Sequence, residues 1–230
     1  MRKFSIIIPT LNEATDLSDF LLALQPLRKH CEIIIADAGS TDDTHKISIG
    51  LVDQFIISAR GRALQMNAGA KQVSAEILIF LHADTYLPAQ ALQSIQQGID
   101  RGAQWGRFDI HLTGKSPLLK MVAQMMNWRS RLSGIATGDQ AIFITSKVFE
   151  SVGGFPEIAL MEDIELSKRL KYISPPYCIK SKVKSSARRW AIFGVWRTII
   201  LMWRLRLLYF FGVSPEKLAR LYRQEKCFKP

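Results

Sequence analysis

The chain has 230 residues, 48% of them hydrophobic, which is enough for one large folded unit and too apolar for a disordered chain. Its three cysteines (Cys31, Cys178, Cys227) are far apart and odd in number, which excludes a disulfide framework and a cysteine-based metal site and favours a reducing, cytoplasmic setting. The net charge of +11 is local: residues 166–215 carry 11 Lys and Arg and no Asp or Glu, while the rest balances 20 basic against 20 acidic residues, so an anionic partner is expected at that stretch.

The first residues, Met1-Arg2-Lys3, run straight into the apolar run Phe4-Ser5-Ile6-Ile7-Ile8, too short for a signal peptide and right for a buried strand. Pro9-Thr10 ends that strand and Asn12-Glu13 opens a helix with Leu17, Phe20, Leu21 and Leu24 at helical spacing. A second strand, Glu32–Ala36, ends in the turn Asp37-Ala38-Gly39-Ser40-Thr41-Asp42-Asp43-Thr44. A short strand from Asp53 to Ser58, a helix from Gly61 to Val73 and a strand from Glu76 to Leu81 follow. Alternating strands and helices with short connections predict an α/β fold with a doubly wound, mostly parallel sheet.

In such a sheet the polar strand ends Pro9-Thr10, Asp37 and Asp84 share one edge, where open α/β sheets bind ligands. Asp84 has two readings: a metal or phosphate-linked carboxylate, or a cap for a helix beginning at Pro88. Asp37 and Asp42 likewise either bind ligand or cap the next helix. The glycine-rich fingerprints of dinucleotide and P-loop sites are absent from the sequence. Further on, Trp105–Leu112 reads as a strand, Ser116–Ser133 as a Met-rich helix, and Ala141–Ile144 as a strand preceded by Gly138-Asp139-Gln140. The Met-rich helix reads first as core and second as the border of a lipid-like acceptor.

Five motifs in order resemble the inverting family 2 glycosyltransferases of the GT-A fold. They are Ser5–Glu13, Asp37–Thr44, Gly61-Arg62 with Asn67-Ala68-Gly69, Leu81-His82-Ala83-Asp84, and Gly153-Gly154-Phe155 followed by Met161–Leu166. The resemblance implies a transfer of sugar from a nucleoside diphosphate sugar, a UDP-type donor favoured, to an acceptor hydroxyl with inversion. It implies nucleotide contacts at Pro9, Thr10, Glu13, Asp37, Arg62 and Asp84, with Arg62 preferred to Arg60. It implies a divalent metal, Mn²⁺ or Mg²⁺, held by Asp84, and a base at Asp163 with Glu162 as the second choice. The chain departs from the family at His82, which stands where the first aspartate of Asp-x-Asp belongs. His82 is therefore a candidate metal ligand, a ribose contact or a supporting side chain. Asn67 is expected to pack or bond locally, and Asp139 is a weaker acceptor-side candidate.

Residues 1–185 form the expected transferase unit, divided into a nucleotide half (1–102) and an acceptor half (103–185). Residues 186–230 form a basic, apolar helical appendage. Its uncharged run Thr198–Trp203 is far shorter than the ~20 residues a membrane span needs, so surface association with anionic lipid is expected rather than insertion. Arg188-Arg189-Trp190 loosely resembles a basic–aromatic motif placed near the diphosphate, and Cys227–Pro230 reads as a frayed tail. A lipid-linked acceptor is one expectation, and nucleic acid is not. Two alternatives stay open: a sugar-nucleotide binder or nucleotidyltransferase on the same sheet, and, with less support, a basic nucleic-acid-binding module.

Overall fold

The computed structural model describes residues 2–114 and 116–227, except the side chains of Arg189 and of residues 224–227. The expected tail Cys227–Pro230 therefore falls largely outside the described residues. The chain opens with β1 (Phe4–Thr10), α1 (Ala14–Leu24), β2 (Cys31–Asp37), α2 (Thr44–Ser48), β3 (Gln54–Ile57), α3 (Arg62–Lys71) and β4 (Ile77–Phe80). It continues with β5 (Thr85–Tyr86), α4 (Ala91–Asp100), β6 (Trp105–Thr113), α5 (Pro117–Ser133), β7 (Ile142–Thr145) and α6 (Ser146–Ser151). Then come α7 (Glu162–Lys171), β8 (Tyr177–Ser186), α8 (Arg188–Phe193), α9 (Val195–Phe210) and α10 (Pro215–Cys227).

The strands form one sheet in the order β3-β2-β1-β4-β7-β6-β8-β5. β1 lies parallel to β2 and β4, β2 to β3, and β6 to β8, while β7 and β5 run antiparallel to their neighbours. This is the mostly parallel sheet the alternation of elements predicts.

The unbroken apolar runs of β1 and β4 follow from burial on both faces. Ile6, Ile8, Ile33, Ile35 and Ile79 pack with Leu17, Phe20, Leu21 and Leu24 of α1 on one side. Ile7, Leu78 and Phe80 pack on the other side with Ala63 and Met66 of α3, Phe149, Phe155 and Leu166. Each such side chain contributes roughly 1.5–3 kcal/mol by leaving water. α3 approaches β1 so closely that a Cβ on Gly69 would lie 2.5 Å from Ile7 Cγ2. Only glycine fits there without displacing the helix.

Pro9 sits inside a central strand, where a missing N–H is normally costly. Its side of β1 faces β4, which pairs no further than Phe80 and leaves with Leu81 N–H donating to Ile7 O. No ladder bond is lost. The chain then bends through His82–Asp84, with Thr85 N–H donating to His82 O at 3.0 Å, and crosses to pair with β8 as β5.

Candidate active site

The loop after β1 and the loop after β2 are joined side chain to backbone. Thr10 Oγ1 donates to Asp37 Oδ1 at 2.8 Å, and Asp37 Oδ2 accepts from the N–H groups of Gly39 and Ser40 at 2.9 and 2.7 Å. Ser40 Oγ adds a further bond to Asp37 Oδ1 at 2.5 Å. Asp37 is thus fully buried and shapes its own turn; it does not cap α2, which begins at Thr44. Asp42 is the capping residue of this turn. It accepts from Thr44 N–H and Oγ1 and from Ala14 N–H at the start of α1. Asn12, in a left-handed conformation (φ 55°), accepts from Thr41 N–H and completes the joint.

A second group gathers above the β1 and β4 ends. Arg188 reaches Glu13 at 3.8 Å and Asp16 at 3.1 Å. Burial raises the Glu13 carboxyl above its ordinary value, Arg188 and Arg62 oppose that rise, and the charge of Asp84 adds to it. Glu13, Asp84, Arg62 and Arg188 are therefore electrostatic neighbours. Arg62 also acts on His82 and Glu162, whereas Arg60 lies exposed in the preceding bend.

Asp84 does not cap a helix. α4 starts at Ala91, and Asp84 is followed by β5, where its carbonyl accepts from Ser186 N–H at 3.1 Å. The carboxylate stays half-buried and, among the described residues, accepts one long bond, from Thr85 Oγ1 at 3.2 Å. Among the described residues no three His, Cys, Asp or Glu side chains form a metal-binding cluster. One accessible carboxylate nonetheless suits Mg²⁺ or Mn²⁺, because these ions take their other ligands from substrate phosphates and water. His82 suits them less. Burial, and then the charge of Arg62, pushes its imidazole down to about 3, so it is neutral, and Nε2 lies against Gly138, where a Cβ would be 2.5 Å away.

Gly138 links this group to Asp163 in the second part of the chain. β7 runs antiparallel to β4, so the turn Gly138–Gln140 before it falls beside His82. Gly138 N–H donates to Asp163 Oδ2 at 3.0 Å, and Asp163 Oδ1 accepts from Ile164 N–H at 2.7 Å. Asp163 is half-buried and its neighbour Glu162 is 7% exposed. Burial, then the charge of Asp163, pushes the Glu162 carboxyl up to about 7, against the pull of Arg62. Met161, just before the pair, has a left-handed backbone (φ 72°) and packs with Leu205 of α9 and Leu218 of α10. Asp139 accepts from Thr137 Oγ1 at 2.6 Å and is raised by burial and by Asp163.

Asn67 does not bond locally. Its amide donates to Phe155 O at 2.8 Å and accepts from Phe155 N–H at 2.9 Å, 88 residues away. The left-handed Gly153 and Gly154 (φ 77° and 71°) lead into the Phe155 backbone that it bonds. The sequence reading missed Arg129 of α5 and Arg206 of α9, whose charges reach Asp139. At Arg129 the sequence offers only a pair of arginines, Arg129 and Arg131, near the end of the Met-rich helix. Arg188 was noted only within its loose motif.

Residues 5–145 match the family model described as glycosyl transferase family 2. The poly(ribitol-phosphate) beta-N-acetylglucosaminyltransferase TarS of Staphylococcus aureus is 31% identical over 110 residues, 44% of this chain and 19% of TarS. The undecaprenyl-phosphate 4-deoxy-4-formamido-L-arabinose transferase of Salmonella choleraesuis is 28% identical over 114 residues, 44% of this chain and 35% of that protein. The chain thus spans well under half the length of these relatives. Among solved structures, the mannosyltransferase PcManGT of Pyrobaculum calidifontis in complex with GDP-Man and Mn²⁺ superposes with a TM-score of 0.66 at 17% identity, covering 99% of this chain and 71% of that one. TarS residues 1–349 with UDP-GlcNAc superposes with a TM-score of 0.65 at 19% identity, covering 82% and 59%. A family match over more than half the chain, on a sheet shared with these GT-A enzymes, establishes that the chain belongs to glycosyl transferase family 2 and has the GT-A fold.

Proposed function

We propose that the chain transfers a sugar from a nucleoside diphosphate sugar, a uridine donor favoured, to an acceptor hydroxyl with inversion. The observation that carries this reading is the contact chain His82–Gly138–Asp163, which sets a carboxylate of the acceptor half beside the donor-side strand ends. The buried Thr10–Asp37 joint, with Pro9 before it, forms the floor for base and ribose. Arg62 and Glu13 flank the diphosphate. Asp84 would hold Mn²⁺ or Mg²⁺, which neutralises the leaving diphosphate when bound. Asp163, oriented by two backbone N–H groups and open to one side, takes the proton of the acceptor hydroxyl. His82, neutral and pressed on Gly138, supports that turn and is not a metal ligand in this reading. Residues 1–185 act as the transferase unit, with 186–230 bringing it to a membrane surface and a lipid-linked acceptor. The S. choleraesuis relative, named for undecaprenyl phosphate, supports that choice of acceptor.

Glu162 as base is the second reading, favoured by a carboxyl poised near neutrality. Titration calorimetry with UDP, GDP and Mn²⁺ tests donor binding; no heat with any pair would defeat the proposal. Asp163→Asn is expected to keep donor binding and lose at least about 10²-fold in transfer. Retained turnover in Asp163→Asn, with loss in Glu162→Gln, would move the base to Glu162.

A further inference from the structure

We propose that Arg129 of α5 and Arg206 of α9 form a seat for a phosphate group carried by the acceptor, next to Asp163. The proposal rests on the transferase reading above and names the acceptor's chemical class. Arg129 Nε and Nη2 are both sealed from solvent and have no hydrogen-bond partner. Leaving such donors unpaired costs more than an ordinary bond returns. Asp109, on β6, is engaged by Arg107 and by Arg131 Nη2 and forms no ion pair with Arg129. Arg206 of α9 is near enough for its positive charge to act against that of Arg129. Neither arginine forms an ion pair with a described residue.

Asp139 and Asp163 share the field of these arginines, yet neither carboxylate bonds Arg129 Nε or Nη2, and the planar guanidinium fork presents those unpaired donors to an oxyanion such as a phosphate. Burial and Arg206 push Arg129 down only to about 10, so it remains charged near neutrality. The location points to the acceptor. Arg129 acts on Asp139 and Asp163, whereas Arg188 acts on Glu13 and Arg62 on both Glu13 and Glu162. A third buried donor without a partner, Gln140 Nε2, lies in the same turn as Asp139.

The test is calorimetric titration with inorganic phosphate, dodecyl phosphate below its critical micelle concentration, and uncharged dodecyl maltoside. Each is added with UDP and Mn²⁺ already saturating. The wild type is expected to bind both phosphates and not the maltoside. Arg129→Gln and Arg206→Gln are each expected to weaken that binding about tenfold or more while leaving UDP binding intact. Tighter binding of dodecyl phosphate assigns the group to a lipid; equal binding assigns it to a soluble phosphorylated acceptor. Wild-type indifference to phosphate, or unchanged phosphate binding in both variants, overturns the seat. Should Arg129→Gln fail to fold, Arg206→Gln, at a half-buried position, decides alone. Arginine-dependent phosphate binding without any nucleotide binding would keep the seat and defeat the donor assignment.

Discussion

His82 and Glu162 both lie in the field of Arg62, yet burial moves them in opposite directions. A histidine held neutral by folding binds its proton more tightly when unfolded. His82 therefore withdraws stability as pH falls from its ordinary 6.5 toward about 3. Glu162 binds its proton more tightly when folded, so its contribution is full below its ordinary 4.5 and is lost as pH rises through about 7. Urea melts across pH 4–8 should separate them. His82→Gln should flatten the acid limb and Glu162→Gln the neutral limb, each by about 1–2 kcal/mol. Unchanged limbs would mean that neither side chain is as desolvated as the fold implies. At the same scale Asp37 and Asp42 divide two roles that sequence left open for both. Asp42 caps, while Asp37 spends its carboxylate on Thr10 and on its own turn.

Elements meet at the site through a few cross-chain fasteners. Asn67 on α3 and the Gly153-Gly154-Phe155 turn tie residues 1–102 to residues 103–185 by two bonds to the N–H and C=O of Phe155. Asn67→Ala removes both and leaves the Phe155 N–H and C=O without that partner. A loss of about 1–3 kcal/mol in chemical unfolding is expected, with transfer falling more than donor binding because Asp163 sits downstream of that turn. Equal stability in the variant would show that the pair is replaced by water. The Met-rich α5 is only partly core. Leu119, Val122 and Ala123 are buried, whereas Met121, Met125, Trp128 and Leu132 form an exposed stripe at helical spacing.

Over the whole molecule the basic excess resolves into separate tasks. Arg188 turns to Glu13 and Asp16, and half-buried Arg206 lies within the field of Arg129, while Arg197 and Arg204 stay exposed along α9. They flank a second apolar stripe, Trp196, Ile200, Trp203, Leu207 and Phe210, opposite the buried Thr198 and Leu205. Among the described residues no helix is long and apolar enough to cross a membrane. An apolar stripe edged by cations suits adsorption to anionic lipid. In vesicle sedimentation, Trp196→Ser with Trp203→Ser should weaken binding to phosphatidylglycerol vesicles about tenfold or more, and added salt should weaken it further. Undiminished binding would place the contact elsewhere.

What the sequence determined by itself is whatever depends on local order. The continuous apolar runs specify strands buried on both faces, their alternation with helices specifies a parallel sheet, and parallel strands must bring Thr10, Asp37 and Asp84 to one edge. Glu162 and Asp163 were joined to that edge only by resemblance, and in the structure Gly138 lies between Asp163 and His82. Only the tertiary structure decided that Asp84 leads into a strand rather than a helix, that His82 meets Gly138, and that Asn67 bonds across 88 residues. It alone brought Arg129 and Arg206 together from helices far apart in the chain. Burial and charge proximity are properties of packed neighbours, and neither spacing nor composition encodes which side of a helix will find them.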